Sequence, residues 1–331
     1  MRLLGVELTR LRWRRACLVL MIASVLVPAL IWAGTVWGTR PYSEAEVQRA
    51  TEQAQAQPGF DQEVRSCERK PEQYLAPDQL PVEDEADASE QCRALITQWW
   101  TGLYREPLDL ERELEGSGIG IAIVMAGLMM LLGATFVGAD WASGSMSNQL
   151  LFEPRRLRVY AAKAGAVVVT GLLLGLAVGA LWWAALAGVA NARDLPIADG
   201  VSGEVGWQVV RGAVLVAGAG LAGLATTMLF RSTVATLGIL FAVVVAGTFL
   251  IAVLPFESPE RWMPHLNVVA WIAEGTVYYS DDAQTCVDDG TGMVCSGERV
   301  LSAGAAAAYL LSILGVVVAA SLATFTRRDI P

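Results

Sequence analysis

Six stretches of the chain, at 17–37, 118–139, 164–190, 212–230, 233–255 and 301–325, run without a single Asp, Glu, Lys, Arg or His. Each is 19 to 27 residues long. About 20 apolar residues carry an α-helix across a bilayer. Helices on the surface of a soluble protein keep one polar face, and these runs have none. The pattern therefore predicts an all-α integral membrane protein with six transmembrane helices. Only 17% of the chain is charged, against about a quarter in a soluble domain. The net charge of −9 disfavours nucleic acid as a partner, because phosphate binding needs a basic face. The first run follows Arg10, Arg12, Arg14 and Arg15 and could be a signal peptide. It continues unbroken to Trp37 without a clean small-x-small cleavage site, so it reads as a retained span.

Charge sets the expected orientation. Segments 1–16, 140–163, 231–232 and 326–331 hold 48 residues with 12 Arg or Lys and four acids. Segments 38–117, 191–211 and 256–300 hold 146 residues with 12 Arg or Lys and 29 acids. Basic residues near span ends mark the cytoplasm. Both termini are thus expected inside, in a multi-pass protein of the plasma membrane, with membrane lipid as a partner.

The cysteines agree with that division. Cys67 and Cys92 fall in one outer segment and Cys286 and Cys295 in another, while Cys17 stands alone in span 1. Two local disulfides, Cys67–Cys92 and Cys286–Cys295, are the preferred reading in an oxidising compartment. Four cysteines allow three connectivities, and four free thiols is the other reading. A zinc site is not expected, since His265 is the only histidine and no CxxC occurs.

Between the spans, residues 2–15 read as an amphipathic interfacial helix, with Leu4, Leu8, Leu11 and Arg15 at helical spacing. An ordinary positive-inside flank is compatible with that. Segment 38–117 reads as a small extracytoplasmic helical subdomain. One helix covers Ser43–Gln57, with Ser43 as N-cap and Glu46 three residues on. A second covers Asp87–Tyr104, with Leu95, Ile96, Trp99, Trp100 and Leu103 on its apolar side. The acidic run from Glu83 to Asp87 reads as a solvated face rather than a cation site. Segment 256–300 contains an apolar stretch, Leu266–Ala273, too short to span. It is expected as a re-entrant or interfacial element, followed by a turn-rich hairpin between Cys286 and Cys295. Gly171, Gly175 and Gly179 recur every four residues, a spacing that lets helices approach closely in lipid unless it only reflects a high glycine background.

Several chemistries have no residues to carry them. No GxxxxGK[ST] occurs, and neither Lys70 nor Lys163 ends a phosphate-cradling loop. No HExxH or GxSxG appears either. Ion-coupled carriers place ionisable groups in their spans, and these six runs have none. A channel-like, structural or externally driven membrane subunit remains.

The loop at 140–163 carries the functional reading. It opens Asp140-Trp141-Ala142-Ser143-Gly144-Ser145, continues through Leu150-Leu151, Pro154 and Arg155-Arg156, and closes on Lys163. It resembles the loop between spans 2 and 3 of ABC-2-type transporter permeases. There an acidic–aromatic pair is followed by Gly-Thr, leucines, Pro, Arg and a Lys opening span 3. Asp140 stands for the commoner Glu and Ser145 for Thr, and both keep the chemistry. The end, Phe325-Thr326-Arg327-Arg328-Asp329-Ile330, is similar to the Phe-x-Arg-Arg-Asp tail of these permeases. The 38–117 segment is no part of their minimal pattern.

This resemblance implies the permease subunit of an ABC exporter. It would act as a dimer with a second copy or a homologous permease, driven by a separate ATPase subunit that binds the ATP and Mg. No cofactor is then expected on this chain, which is not itself an enzyme. Asp140, Trp141, Gly144, Ser145, Pro154, Arg155 and Arg156 would form the coupling surface. The charges would contact the ATPase across a groove, and rigid spans 3–5 (164–255) and span 6 would carry its closure to the transport path. The alternatives are a loop that is only a positive-inside flank, and a non-transporting scaffold or sensor whose outer subdomain binds a partner. The charge-free spans leave the substrate open between lipid, amphiphilic drug, peptide and polymer.

Overall fold

The computed structural model describes residues 2–74, 85–103, 105–198, 200–253, 258–280, 285–288 and 293–327. The chain is nearly all helical and divides into two compact units, Gly34–Leu108 and the remainder.

In the larger unit, α1 (Arg2–Trp13) and α2 (Arg15–Gly38) are separated only by Arg14. A short helix α6 (Leu110–Glu113) runs through a π-helical turn, Leu114–Gly118, into α7 (Ile119–Ala142). α8 (Ser145–Phe152) leads to α9 (Arg156–Ala192), α10 (Val201–Phe230) and α11 (Thr233–Val253). The last helix, α13 (Ala303–Arg327), follows a short α12 (Pro264–Ile272). Five helices are long and apolar enough to cross a bilayer: Arg15–Gly38, Leu110–Ala142, Arg156–Ala192, Val201–Phe230 and Ala303–Arg327. The architecture is that of a multi-pass membrane protein. The run expected as span 5 forms α11, which is not among those five: only a shorter apolar stretch, Thr233–Val243, is described for it, and 254–255 lie outside the described residues. α9 starts eight residues before the expected span and α10 eleven before, because both helices extend past the apolar run.

α7, α9 and α10 form the centre. A methyl group built on Gly171 would lie 2.8 Å from Ala217 Cα, and one on Gly175 2.7 Å from Ala213 Cα. The four-residue glycine spacing therefore does set the α9–α10 approach, whereas Gly179 meets only the side chain of Val209. The α7–α10 crossing is closer still. A methyl group on Gly133 would lie 2.0 Å from the Gly220 carbonyl oxygen, and one on Gly223 2.0 Å from that of Met130. Backbones in such contact gain dispersion that side chains would prevent. At the entry to α7, the π turn widens the helix and leaves carbonyls without their usual partners. Gln208 of α10 donates its Nε2–H to the Leu114 carbonyl at 2.6 Å.

The expectation of an all-α chain needs correction within 256–300. After α12, which has Pro264 at its first position, the backbone forms two antiparallel ladders. β1 (Gly275–Tyr279) pairs with β4 (Glu298–Ser302), and β2 (Thr285–Asp288) with β3 (Met293–Ser296). The apolar stretch is therefore one nine-residue helix ending in a β-ribbon, whose alternating Thr-Val-Tyr-Tyr suits a strand. Cys286 stands directly opposite Cys295 in the ladder. The tip at 289–292 and the tail at 328–331 lie outside the described residues.

Among its described residues the smaller unit has three α-helices after α2 rather than the two expected: α3 (Glu44–Gln55), α4 (Phe60–Arg69) and α5 (Glu85–Thr101). α4 escapes a reading by propensity because only Phe60, Val64 and Cys67 mark its apolar face. Those three residues meet Cys92 and Ile96 in the core. A disulfide joins Cys67 to Cys92 with Cα atoms 5.7 Å apart, as expected. Ser43 and Glu46 form a reciprocal capping box at the start of α3. The Glu46 carboxyl is held below its ordinary range. The Ser43 backbone N–H contributes most, then its hydroxyl, with Arg40 and Arg105 adding charge. Of the acidic run from Glu83, residues 83–84 lie outside the described residues.

Candidate functional site

Helix α1 turns one side of Leu4, Glu7, Leu8 and Leu11 inward, and Glu7 and Leu11 are fully buried. A carboxylate in the middle of an apolar stripe requires a partner, because an unpaired buried charge costs many kcal/mol. The partner is Lys163, two turns into α9 and also fully buried. Its Nζ lies 3.0 Å from Glu7 Oε2 and 2.5 Å from Asp140 Oδ2. Asp140, in the last turn of α7, has no exposed surface. Its Oδ1 accepts from the Ser145 hydroxyl at 2.6 Å and from the guanidinium of Arg14. Arg14 sits in the break between α1 and α2 and also donates to the Phe136 carbonyl. Arg14 and Lys163 thus face the two carboxylates, and Arg10 adds a longer ion pair to Glu7 at 3.6 Å. The Phe136 ring lies 5.2 Å from both the Arg14 guanidinium carbon and Lys163 Nζ. The outer rim belongs to α8: Gln149 donates its Nε2–H to Glu7 Oε1 at 2.5 Å, and Arg10 donates to Gln149 Oε1 at 3.4 Å.

This network corrects the expected role of Asp140. Its carboxylate does not face a docking partner, because α1, α9 and Ser145 already enclose it. Trp141 also turns inward. Its ring is edge-on to Phe325 at 6.4 Å, and Arg231 lies 4.8 Å from its centroid. Gly144 adopts φ +67° and starts α8 in the left-handed region that glycine tolerates. Arg156 donates to the carbonyls of Phe325 and Thr326, both at 3.1 Å, and so caps the end of α13. One of its nitrogens, Nη1, is thus engaged within the chain. Pro154 and Arg155 do remain exposed. Beside them, Leu151 and Phe152 are 79% and 91% exposed, and Leu157 is also exposed.

The loop therefore has two layers. Asp140, Trp141, Ser145, Arg156 and Lys163 fasten helices together, while Leu151, Phe152, Pro154, Arg155 and Leu157 project outward. Glu7, Arg14 and Gln149 were not singled out in the sequence. The available signal was Glu7 itself, a lone acid on the apolar face of α1 with a lone lysine at the head of the next inner span. Among the described residues no group of three or more His, Cys, Asp or Glu could hold a metal. The network can fix helices electrostatically. No family model matches the chain, and no curated protein or solved structure matches it either.

Proposed function

We propose that this chain is the permease subunit of an ATP-driven ABC exporter, with six spans, both termini cytoplasmic, and a separate subunit hydrolysing ATP with Mg. It lies in the plasma membrane and lines the translocation path together with a second copy or a homologous permease. The observation that carries the reading is the exposed turn at 151–157. Leu151, Phe152 and Leu157 present apolar surface beside Arg155 on a short loop of a membrane protein. Clustered exposed apolar side chains beside a cation suit a partner surface. The buried network supports the reading, because α8 carries that turn and is bonded through Ser145 and Gln149 to α7 and α1. A force on α8 would move three helices as one body.

The test is affinity purification of the full chain from its own membranes, wild type beside Phe152→Asp and Arg155→Ala. Mass spectrometry identifies the proteins retained. The expected result is a P-loop ATPase with the wild type, reduced at least about tenfold by Phe152→Asp, since truncating a central interface anchor costs 2 kcal/mol or more. Arg155→Ala should weaken retention less. Wild-type chain that retains no P-loop ATPase would sink the proposal and favour the scaffold reading.

A further inference from the structure

At the opposite end of α10 from the charge network, Trp207, Val210, Arg211 and Val214 share one helical face at i, i+3, i+4 and i+7 spacing. With Trp271 of α12 and Glu274 they line a groove of about 430 Å³, within the range of small-ligand sites. Trp207, Val210 and Val214 are exposed. On a membrane-spanning helix that surface faces lipid. The groove has a polar end: Arg211, with a side chain only 17% exposed, pairs with Glu274 at 2.9 Å. Glu274 itself is 70% exposed and lies at φ +68° in the reversal between α12 and β1. The Arg211 hydrogen bond and charge hold its carboxyl below the ordinary range, so it is an anion covering a cation. Trp271 Nε1 donates to the Arg211 carbonyl at 3.0 Å, which fixes one indole wall.

Depth completes the argument. Residues 212–230 carry no charge, and 19 helical residues span about 28 Å, the thickness of the hydrocarbon core. Arg211 therefore sits at the hydrocarbon boundary, where phosphates lie and where tryptophans concentrate. We infer that this groove binds a phospholipid of the outer leaflet, its phosphodiester on Arg211 in place of Glu274 and an acyl chain along Val210 and Val214. The groove and its lipid rest on the multi-pass arrangement, the choice of leaflet rests on the orientation proposed above, and neither rests on the ATPase pairing, so either reading can fail alone.

Native mass spectrometry of the full chain, delipidated in detergent and titrated with phosphatidylglycerol, tests it. Inorganic phosphate is the water-soluble competitor, and Arg158→Gln, an exposed arginine elsewhere, is the charge control. Arg211→Gln should weaken lipid binding about tenfold, the loss expected for a charge-assisted bond. Glu274→Gln should tighten it severalfold, because the competing anion is gone. Trp207→Ala, which alters only an exposed side chain, should weaken it and keeps the test valid if Arg211→Gln misfolds. Equal losses in Arg211→Gln and Glu274→Gln would show a structural ion pair and overturn the inference. So would weakening by Glu274→Gln alone, which means a cationic ligand, or full competition by inorganic phosphate, which means a free anion. Binding unchanged in Glu274→Gln and Trp207→Ala would also overturn it.

Discussion

Lys163 is one of two lysines in the chain, and its ammonium, with no exposed surface, is held between Glu7 and Asp140. Removing one member of a buried pair leaves the other charge uncompensated, at about 3–5 kcal/mol. Lys163→Met and Asp140→Asn should each lower the thermal midpoint in detergent markedly. The double variant should lose less than the sum, because residues in one network couple. Strict additivity would mean the pair does not act as a unit. Glu46 offers a second residue-scale test. Its folded pKa lies below the ordinary 4.5, so its contribution to α3 is complete above that value. The contribution is lost as pH falls through the lowered folded value. Hydrogen exchange over residues 44–55, corrected for intrinsic chemistry, should show α3 protected at pH 6 and loosened in acid. Ser43→Ala should loosen it already at pH 6, by about 1 kcal/mol for a lost N-cap.

Among the elements, the α7–α10 crossing brings backbone closest to backbone of the described glycine contacts. Gly133→Ala places a methyl group against the Gly220 carbonyl, a backbone atom that can move only with its helix. Overpacking of this kind costs about 1–3 kcal/mol. Gly179→Ala meets a side chain that can turn, and Gly120→Ala meets nothing within 4 Å. The expected order of lost thermal stability is therefore Gly133, then Gly179, then Gly120, and equal effects at all three would contradict the crossing. At the π turn, Gln208→Leu leaves the Leu114 carbonyl buried without its donor. An unsatisfied buried acceptor costs about 1–3 kcal/mol. Exchange should rise selectively near residues 114–118.

For the whole molecule, topology and disulfides are the accessible observables. Single cysteines at Glu90 and Asn148, both exposed, should react oppositely with an impermeant reagent in intact cells. Labelling at both would refute the proposed orientation. Cys17 is buried and should stay silent. Reducing Cys67–Cys92 removes a link across 25 residues. On the chain-entropy account this destabilises the small unit by roughly 3 kcal/mol. Peptide mapping without reductant should also recover Cys286 joined to Cys295, since the ladder sets them opposite each other; crossed pairing would contradict that register.

The sequence by itself determined the long apolar helices, because a charge-free run of 20 residues has no other economical way to satisfy its backbone in lipid. It also pointed to the Ser43–Glu46 capping box, local in sequence, and favoured the Cys67–Cys92 link among three connectivities. It did not reveal the fate of Asp140, Trp141 and Arg156. A charged or aromatic residue in a polar loop reads the same whether it faces solvent or another helix. Only packing brought Glu7, 156 residues away in sequence, to Lys163. The Gly133–Gly220 approach was likewise decided by neighbours distant in the chain. Burial of a charge is a property of the surrounding helices, and no single stretch of sequence contains them.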